Sequence, residues 1–287
     1  MFKVEDFIMA EGKHVPGMIS TKWDTTDHDN YWHRVGTAPF ALVAHIDTVP
    51  IPFKDLHYNR HLKILHNLFG PLGADDRAGC YIIYRLMERF DPHIFLFNYE
   101  EMGGMGVRTY THDLKKGMDP DIEFFLEFDR QGLNEYVYYS FQEPKQLTKW
   151  ADQAGLMEAW GSYSDVSTLT SHTRIPHLNL SAAFINEHSD SEILHIPALE
   201  ALIEVYTNML AKAPTNVPKL KKQAQGKKKW GMPFSWERTS TPLSTDVLPY
   251  SNMTEIGGGI AEEGDYYLED EFDQHSMAWY DRYKNFK

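Results

Sequence analysis

The chain reads as an α/β protein, a layered sheet with helices packed on it and a C-terminal extension, and three observations predict this. Short apolar runs rich in β-forming residues alternate with segments that repeat apolar residues at helical spacing, the order that builds a layered sheet. Hydrophobic residues make up 42% of the 287, enough for a sizeable core. Beyond residue 212 the alternation stops, and a lysine-rich stretch leads into an aromatic and acidic tail.

In chain order, "FALVAHI" and "LKILHNL" read as strands. "DDRAGCYIIYRLMERF" then places Ile82, Ile83, Leu86, Met87 and Phe90 at helical spacing, with Asp75 and Asp76 at the end where carboxylates favour the helix dipole. "HIFLFNY" and "IEFFLEF" are two further strands, each running into carboxylates. "EYVYYSF" suits a strand, "KQLTKWADQAGLMEAW" a helix and "HLNLSAAFI" a central strand. "IPALEALIEVYTNMLAK" closes the core: Pro197 suits the first helical turn, and Leu199, Leu202, Ile203, Tyr206 and Leu210 make one apolar stripe. The expected division is a core domain over 1–212, a linker over 213–229 and an extension over 230–287.

A formal charge of −13 repels phosphate backbones and anionic bilayers, so neither nucleic acid nor membrane is the expected partner. With a single cysteine, Cys80, the chain builds neither an internal disulfide nor a thiolate metal cluster. The acidic start "MFKVEDFIMAEGKH" lacks the pattern of a secretory signal, and no apolar run is long enough to span a bilayer, so a cytoplasmic location is expected.

Five segments place a histidine or carboxylates directly after an apolar strand or at the start of the helix that follows one: "AHIDTV", "GADDRAG", "NYEEMGG", "LEFDRQG" and "NEHSDSE". In open α/β sheets, sites assemble at the carboxyl ends of strands. So many buried carboxylates need compensating positive charge, and little lysine or arginine is nearby to supply it. A pair of divalent metal ions would. Taken singly, each of these residues is an ordinary strand-end polar group; the five together are not.

These five motifs, in this order over roughly residues 30–212, resemble the co-catalytic dizinc exopeptidases of peptidase clan MH, a superfamily of aminopeptidases, dipeptidases and aminoacylase-like enzymes. The resemblance implies a mixed, mostly parallel twisted sheet with helices on both faces, and two divalent ions: zinc, with cobalt or manganese as substitutes. It implies His45 and Asp129 as ligands of the first ion, Glu101 and His188 of the second, and Asp75 as the carboxylate shared by both. Asp47 would orient His45, and Glu100 would be the general base and acid. A cis peptide between Asp75 and Asp76 is a further expectation. Ser164 and Asp165, in "SYSDVSTLTSHTRIPHLNL", would line the substrate pocket. The other histidines read as surface or satisfied core residues, with His172 and His177 placed where they could reach substrate.

The chain departs from parts of the family. About 60 residues separate Asp129 from His188, too few for the lid domain that some branches insert there. The implied protein is one catalytic domain, with a monomer slightly favoured. The activity implied is hydrolysis of short peptides from one end, as an aminopeptidase or dipeptidase. An N-acyl amino acid deacylase would use the same groups, and a non-catalytic binding protein on a degenerate peptidase fold is the alternative from another class; an intact Glu100 and complete ligand set speak against the last.

Overall fold

The computed structural model describes residues 2–27, 29–114 and 122–221. The expected linker from 222 onward and the extension 230–287 lie outside the described residues.

Two short helices open the chain, α1 (Val4–Met9) and α2 (Val15–Ile19), joined by a 3-10 turn. Phe7 and Ile8 are fully buried, and Phe7 meets the rings of Tyr81 and Tyr84. A hairpin, β1 (Thr25–Asp27) and β2 (Tyr31–Arg34), precedes the central strand β3 (Phe40–His45). A second hairpin, β4 (Leu56–Asn59) and β5 (Ile64–Asn67), leads to the long helix α3 (Ala74–Phe90), then β6 (His93–Phe97) and α4 (Met105–Asp113). After these come β7 (Phe124–Arg130), β8 (Glu135–Val137), α5 (Lys145–Gln153), β9 (Met157–Glu158) and α6 (Asp165–Thr173). The described chain closes with β10 (His177–Ser181), β11 (Phe184–Ile185), β12 (Ile193–His195) and α7 (Ile196–Leu210).

Eight strands form the main sheet in the order β1-β2-β6-β3-β7-β10-β8-β9. The central four, β6, β3, β7 and β10, run parallel, and the antiparallel pairs lie toward the edges. Every residue of β3 and β6 is buried, as parallel strands covered on both faces require. Side chains alternate faces along a strand. Ala41, Val43, Phe95, Phe97 and Phe125 therefore point one way, onto Val107 and Tyr110 of α4 and Val166 and Leu169 of α6. Phe124 and Phe128 point the other way, onto Trp150 of α5 and Tyr206 of α7. The mixed, mostly parallel α/β sheet is the expected one.

Three readings change. "LKILHNL" is a strand, but β5 belongs to a separate antiparallel sheet, β11-β12-β5-β4. "HLNLSAAFI" is not one strand: Ala183 takes a left-handed conformation (φ 65°) that ends β10 and sends Phe184 into the second sheet. The helix expected over "KQLTKWADQAGLMEAW" stops at Gln153, because Gly155 adopts φ 83° and Met157 then pairs beside β8. Within the stretch expected as linker, Val217 and Leu220 are buried, and the Leu220 N–H donates to the Arg174 carbonyl at 2.8 Å. Among the described residues no helix is long and apolar enough to cross a membrane.

Candidate metal centre

Parallel pairing brings the carboxyl ends of β3, β6 and β7 to one edge of the sheet, with His45 beside Phe97 in register. Whatever follows these strands must therefore meet there. β3 ends in His45, β6 runs into Tyr99, Glu100 and Glu101, and β7 carries Asp129 at its end. Asp75 and Asp76 arrive at the head of α3, where their backbone is not yet helical, with the cis peptide between them that the resemblance implies. His188 comes from the turn between β11 and β12 in the left-handed conformation (φ 63°).

The Asp75 carboxylate lies between two sets of donors. Its Oδ1 is 3.0 Å from His45 Nε2, which is itself 3.4 Å from Asp129 Oδ1. Its Oδ2 is 3.1 Å from His188 Nε2, which is 2.7 Å from Glu101 Oε1. All five residues expected to bind metal are thus brought together, one oxygen of Asp75 toward each pair. Candidate ligand atoms of His45, Asp75 and Glu101 lie within 4.8 Å of one another, as do those of His45, Asp76 and Asp129. Asp76 is engaged by the backbone: it accepts the N–H groups of His45 at 3.3 Å and Gly79 at 3.0 Å. A Cβ at position 79 would overlap Asp76 Oδ1 and the Phe128 carbonyl, so a glycine is required there.

Asp47 does more than the sequence implied. Its Oδ1 faces His45 Nδ1 at 3.4 Å, and its two oxygens accept the N–H groups of Glu100 at 3.1 Å and Glu101 at 3.2 Å. One carboxylate thus fixes both the imidazole and the two-glutamate turn.

Electrostatics mark this cluster as short of positive charge. Burial would lower the His45 pKa, yet the carboxylates of Asp129, Asp47 and Asp75 raise it well above the ordinary range. Hydrogen bonding to Asp75 and Glu101 pushes His188 up to about 11. Burial, then the charge of a neighbouring aspartate, drives Asp129 and Asp76 well above the carboxylate range. Burial works the same way on Asp75, but the two imidazoles pull it below. Each rise favours the protonated form, as expected where carboxylates crowd together without a cation, and nitrogen and oxygen donors without sulfur suit divalent zinc, cobalt or manganese. The residues present therefore fit a metal centre. Cys80 is buried, with its thiol on the His45 carbonyl, and burial pushes its pKa up; it is a packing residue.

Beside the cluster lies a cavity of about 230 Å³. Asp75, Glu100, Asp129 and His188 form its polar floor, and Tyr139, Tyr163, Phe184, Gly161, Ser162, Gln131, Arg130 and Glu187 its walls. Burial raises the pKa of Glu100; His45 opposes the rise, and the charges of Glu101, Asp75 and Asp47 add to it. Ser164 and Asp165, expected in the pocket wall, do not reach the cavity: both have no exposed surface, and the three residues before them line it instead. Asp165 sits behind Glu100, where burial and the charge of Glu100 raise its pKa well above the usual range. His177 is likewise internal, with Nε2 accepting the Tyr139 N–H at 3.0 Å and Nδ1 bonded to Thr170 Oγ1 at 2.7 Å. His172 bonds within its own helix.

Sequence reasoning missed Glu192. Its carboxylate accepts the N–H groups of Gly73, Ala74 and Asp75 at 2.9, 2.7 and 3.2 Å, and so holds the turn that presents Asp75. The residue lies within "NEHSDSE", but nothing in that string indicates backbone partners more than a hundred positions away.

No family model and no curated protein matches the chain by sequence. Solved structures do match by shape. Aminopeptidase PepT from Bacillus cereus ATCC 10987 aligns with a TM-score of 0.57 over 72% of this chain and 96% of its own, at 11% identity. The chain has the fold of the exopeptidases its motifs resemble. Aminopeptidase APDkam598 from the archaeon Desulfurococcus kamchatkensis aligns with a TM-score of 0.52 over 73% of this chain and 94% of its own, at 11% identity. The Pyrococcus horikoshii TET1 peptidase aligns at 0.52 over 72% and 98%, at 12% identity, and is described as assembling into a tetrahedron or a large octahedral shell. The fold therefore does not carry the monomer favoured from the sequence.

Proposed function

We propose that the protein is a metal-dependent hydrolase that cleaves amide bonds of short peptides, as an aminopeptidase or dipeptidase. The observation that carries this reading is the Asp75 carboxylate, one oxygen toward His45 and Asp129 and the other toward His188 and Glu101. His45 and Asp129 would hold one ion and His188 and Glu101 the second, with Asp75 shared. When bound, two such ions supply Lewis acidity toward the amide carbonyl and the attacking water.

The remaining work falls to side chains. Glu100 lines the cavity, is not needed as a ligand, and is raised by burial above the ordinary carboxylate pKa, the direction that helps a carboxylate accept a proton and return it. It accepts a proton from the water as the new carbon–oxygen bond forms, and returns it to the amine as the carbon–nitrogen bond breaks. Asp47 keeps Glu100 in place by accepting its N–H and orients His45 through the other ring nitrogen. Tyr139, Tyr163 and Phe184 wall the cavity and restrict water around the reacting amide.

The test is amino-acid release by zinc-loaded protein from matched dipeptides and tripeptides, free or acetylated at the amino terminus. Cleavage of the free forms supports the reading. Cleavage of acetylated forms alone would move the assignment to a deacylase, and silence on both would end it.

A further inference from the structure

The charged side chains lining the cavity are Asp75, Glu100, Asp129, Glu187, Arg130 and His188. Of the four carboxylates lining the cavity, Asp75 and Asp129 belong to the proposed ligand set and Glu100 to the proton transfer. Arg130 is already occupied: its Nε and Nη2 both hold Glu135 Oε2, at 2.9 and 2.8 Å. Glu187 is the carboxylate left over. It precedes His188 in the same turn, between two residues in the left-handed conformation, Asn186 (φ 59°) and His188 (φ 63°). The turn that delivers the imidazole to the cluster therefore delivers this carboxylate to the cavity wall, half-buried and in no ion pair among the described residues.

We propose that Glu187 anchors the free α-ammonium group of the substrate, making this a site for peptides with an unblocked amino terminus. The inference rests on the peptidase reading and narrows it. An ammonium group entering the cavity gains a charge-assisted hydrogen bond from Glu187. An acylated amine brings no charge, so its binding would strip water from Glu187 and leave the carboxylate unpaired. A substrate carboxylate beside the scissile bond would need a cation, and Arg130, the one arginine or lysine lining the cavity among the described residues, is committed to Glu135. Tyr139, Tyr163, Phe184 and Gly161 leave an uncharged, largely aromatic wall for the terminal side chain.

The experiment compares wild type with Glu187→Gln, both zinc-loaded and matched for metal content, on alanine p-nitroanilide and on propionic p-nitroanilide, which differs by lacking the amine. Loss of a charge-assisted hydrogen bond predicts that Glu187→Gln raises KM for the alanine substrate by about tenfold to a hundredfold, with a smaller change in kcat. The desamino substrate is equally poor for both proteins. Alaninamide, as a competitive inhibitor of wild type, loses affinity for the variant by a similar factor, and Glu187→Asp restores part of it. An unchanged KM for the alanine substrate, or an equal loss on both substrates, overturns the assignment of Glu187 while leaving the peptidase reading in place. A wild type that cleaves no peptide or anilide overturns the peptidase reading itself, and the anchor with it.

Discussion

Replacing Glu192 by alanine removes the acceptor of three backbone N–H groups at once, those of Gly73, Ala74 and Asp75. Ala74 is fully buried and Glu192 is 1% exposed, so water does not reach the orphaned donors without a local opening. Each buried donor left unpaired costs about 1–3 kcal/mol, which gives a loss of at least about 3 kcal/mol. For a domain of this size that is a fall in Tm of about 6–12 °C. Glu192→Gln should cost less. Its carbonyl oxygen can take the place of Oε1, which accepts from both Ala74 and Asp75, while its amide turns a donor toward the Gly73 N–H. About half the loss is expected. Because the same turn presents Asp75, both variants should also bind zinc more weakly, by roughly 10–100-fold for alanine, the range found when groups supporting a metal ligand are removed. Urea denaturation and zinc titration measure the two effects separately. A loss below about 1 kcal/mol in the alanine variant, or equal losses in both variants, would refute the assignment of this carboxylate as the brace of the Asp75 turn.

Glu100→Gln should lower kcat by about 10²–10⁴-fold while the metal content stays at the wild-type value, checked by elemental analysis of the purified variant. Glu101→Ala should instead lose one ion, because His188 keeps only Asp75 as a partner. Asp47→Asn retains the side chain's shape but exchanges one oxygen that accepts the Glu100 or Glu101 N–H for a donor; a 10–100-fold loss of activity is expected, read as kcat/KM at saturating zinc. His177 gives a pH dependence away from the metal centre. Burial lowers its pKa from 6.5 to about 3, and its Nε2 already accepts the Tyr139 N–H, so the folded protein keeps it neutral. Below pH 6.5 the unfolded chain takes up a proton that the folded chain refuses, so stability falls with decreasing pH by about 1.4 kcal/mol per unit until pH 3 is approached. Urea denaturation of His177→Gln between pH 6.5 and 4 should show that slope reduced by about one proton; an unchanged slope would contradict the buried neutral imidazole.

The parts of the fold legible in the sequence are those where one element type satisfies burial on its own. β3, β6 and β7 are continuous apolar runs because both faces are covered, and α7 shows its stripe because it packs on one side only. The two N-terminal helices, of six and five residues, are too short for a helical period to repeat. The break at Ala183 was hidden because alanine carries no signal for a left-handed turn. In the site, residue types at strand ends were readable and their meeting followed from parallel topology. Orientation was not. Ser164 and Asp165 belong to a recognisable string, yet their side chains face the interior while Gly161, Ser162 and Tyr163 face the cavity. Glu192 and Glu187 flank His188 in the same motif, and only their surroundings separate one, which braces a backbone turn, from the other, which lines the cavity wall.

The central claim is that two sets of donors, sharing Asp75, hold two divalent ions. Its most direct test is the zinc bound per chain after loading and exhaustive dialysis, determined by elemental analysis against protein concentration. The account predicts two ions per chain. None, or a single ion that saturates the protein, would contradict it.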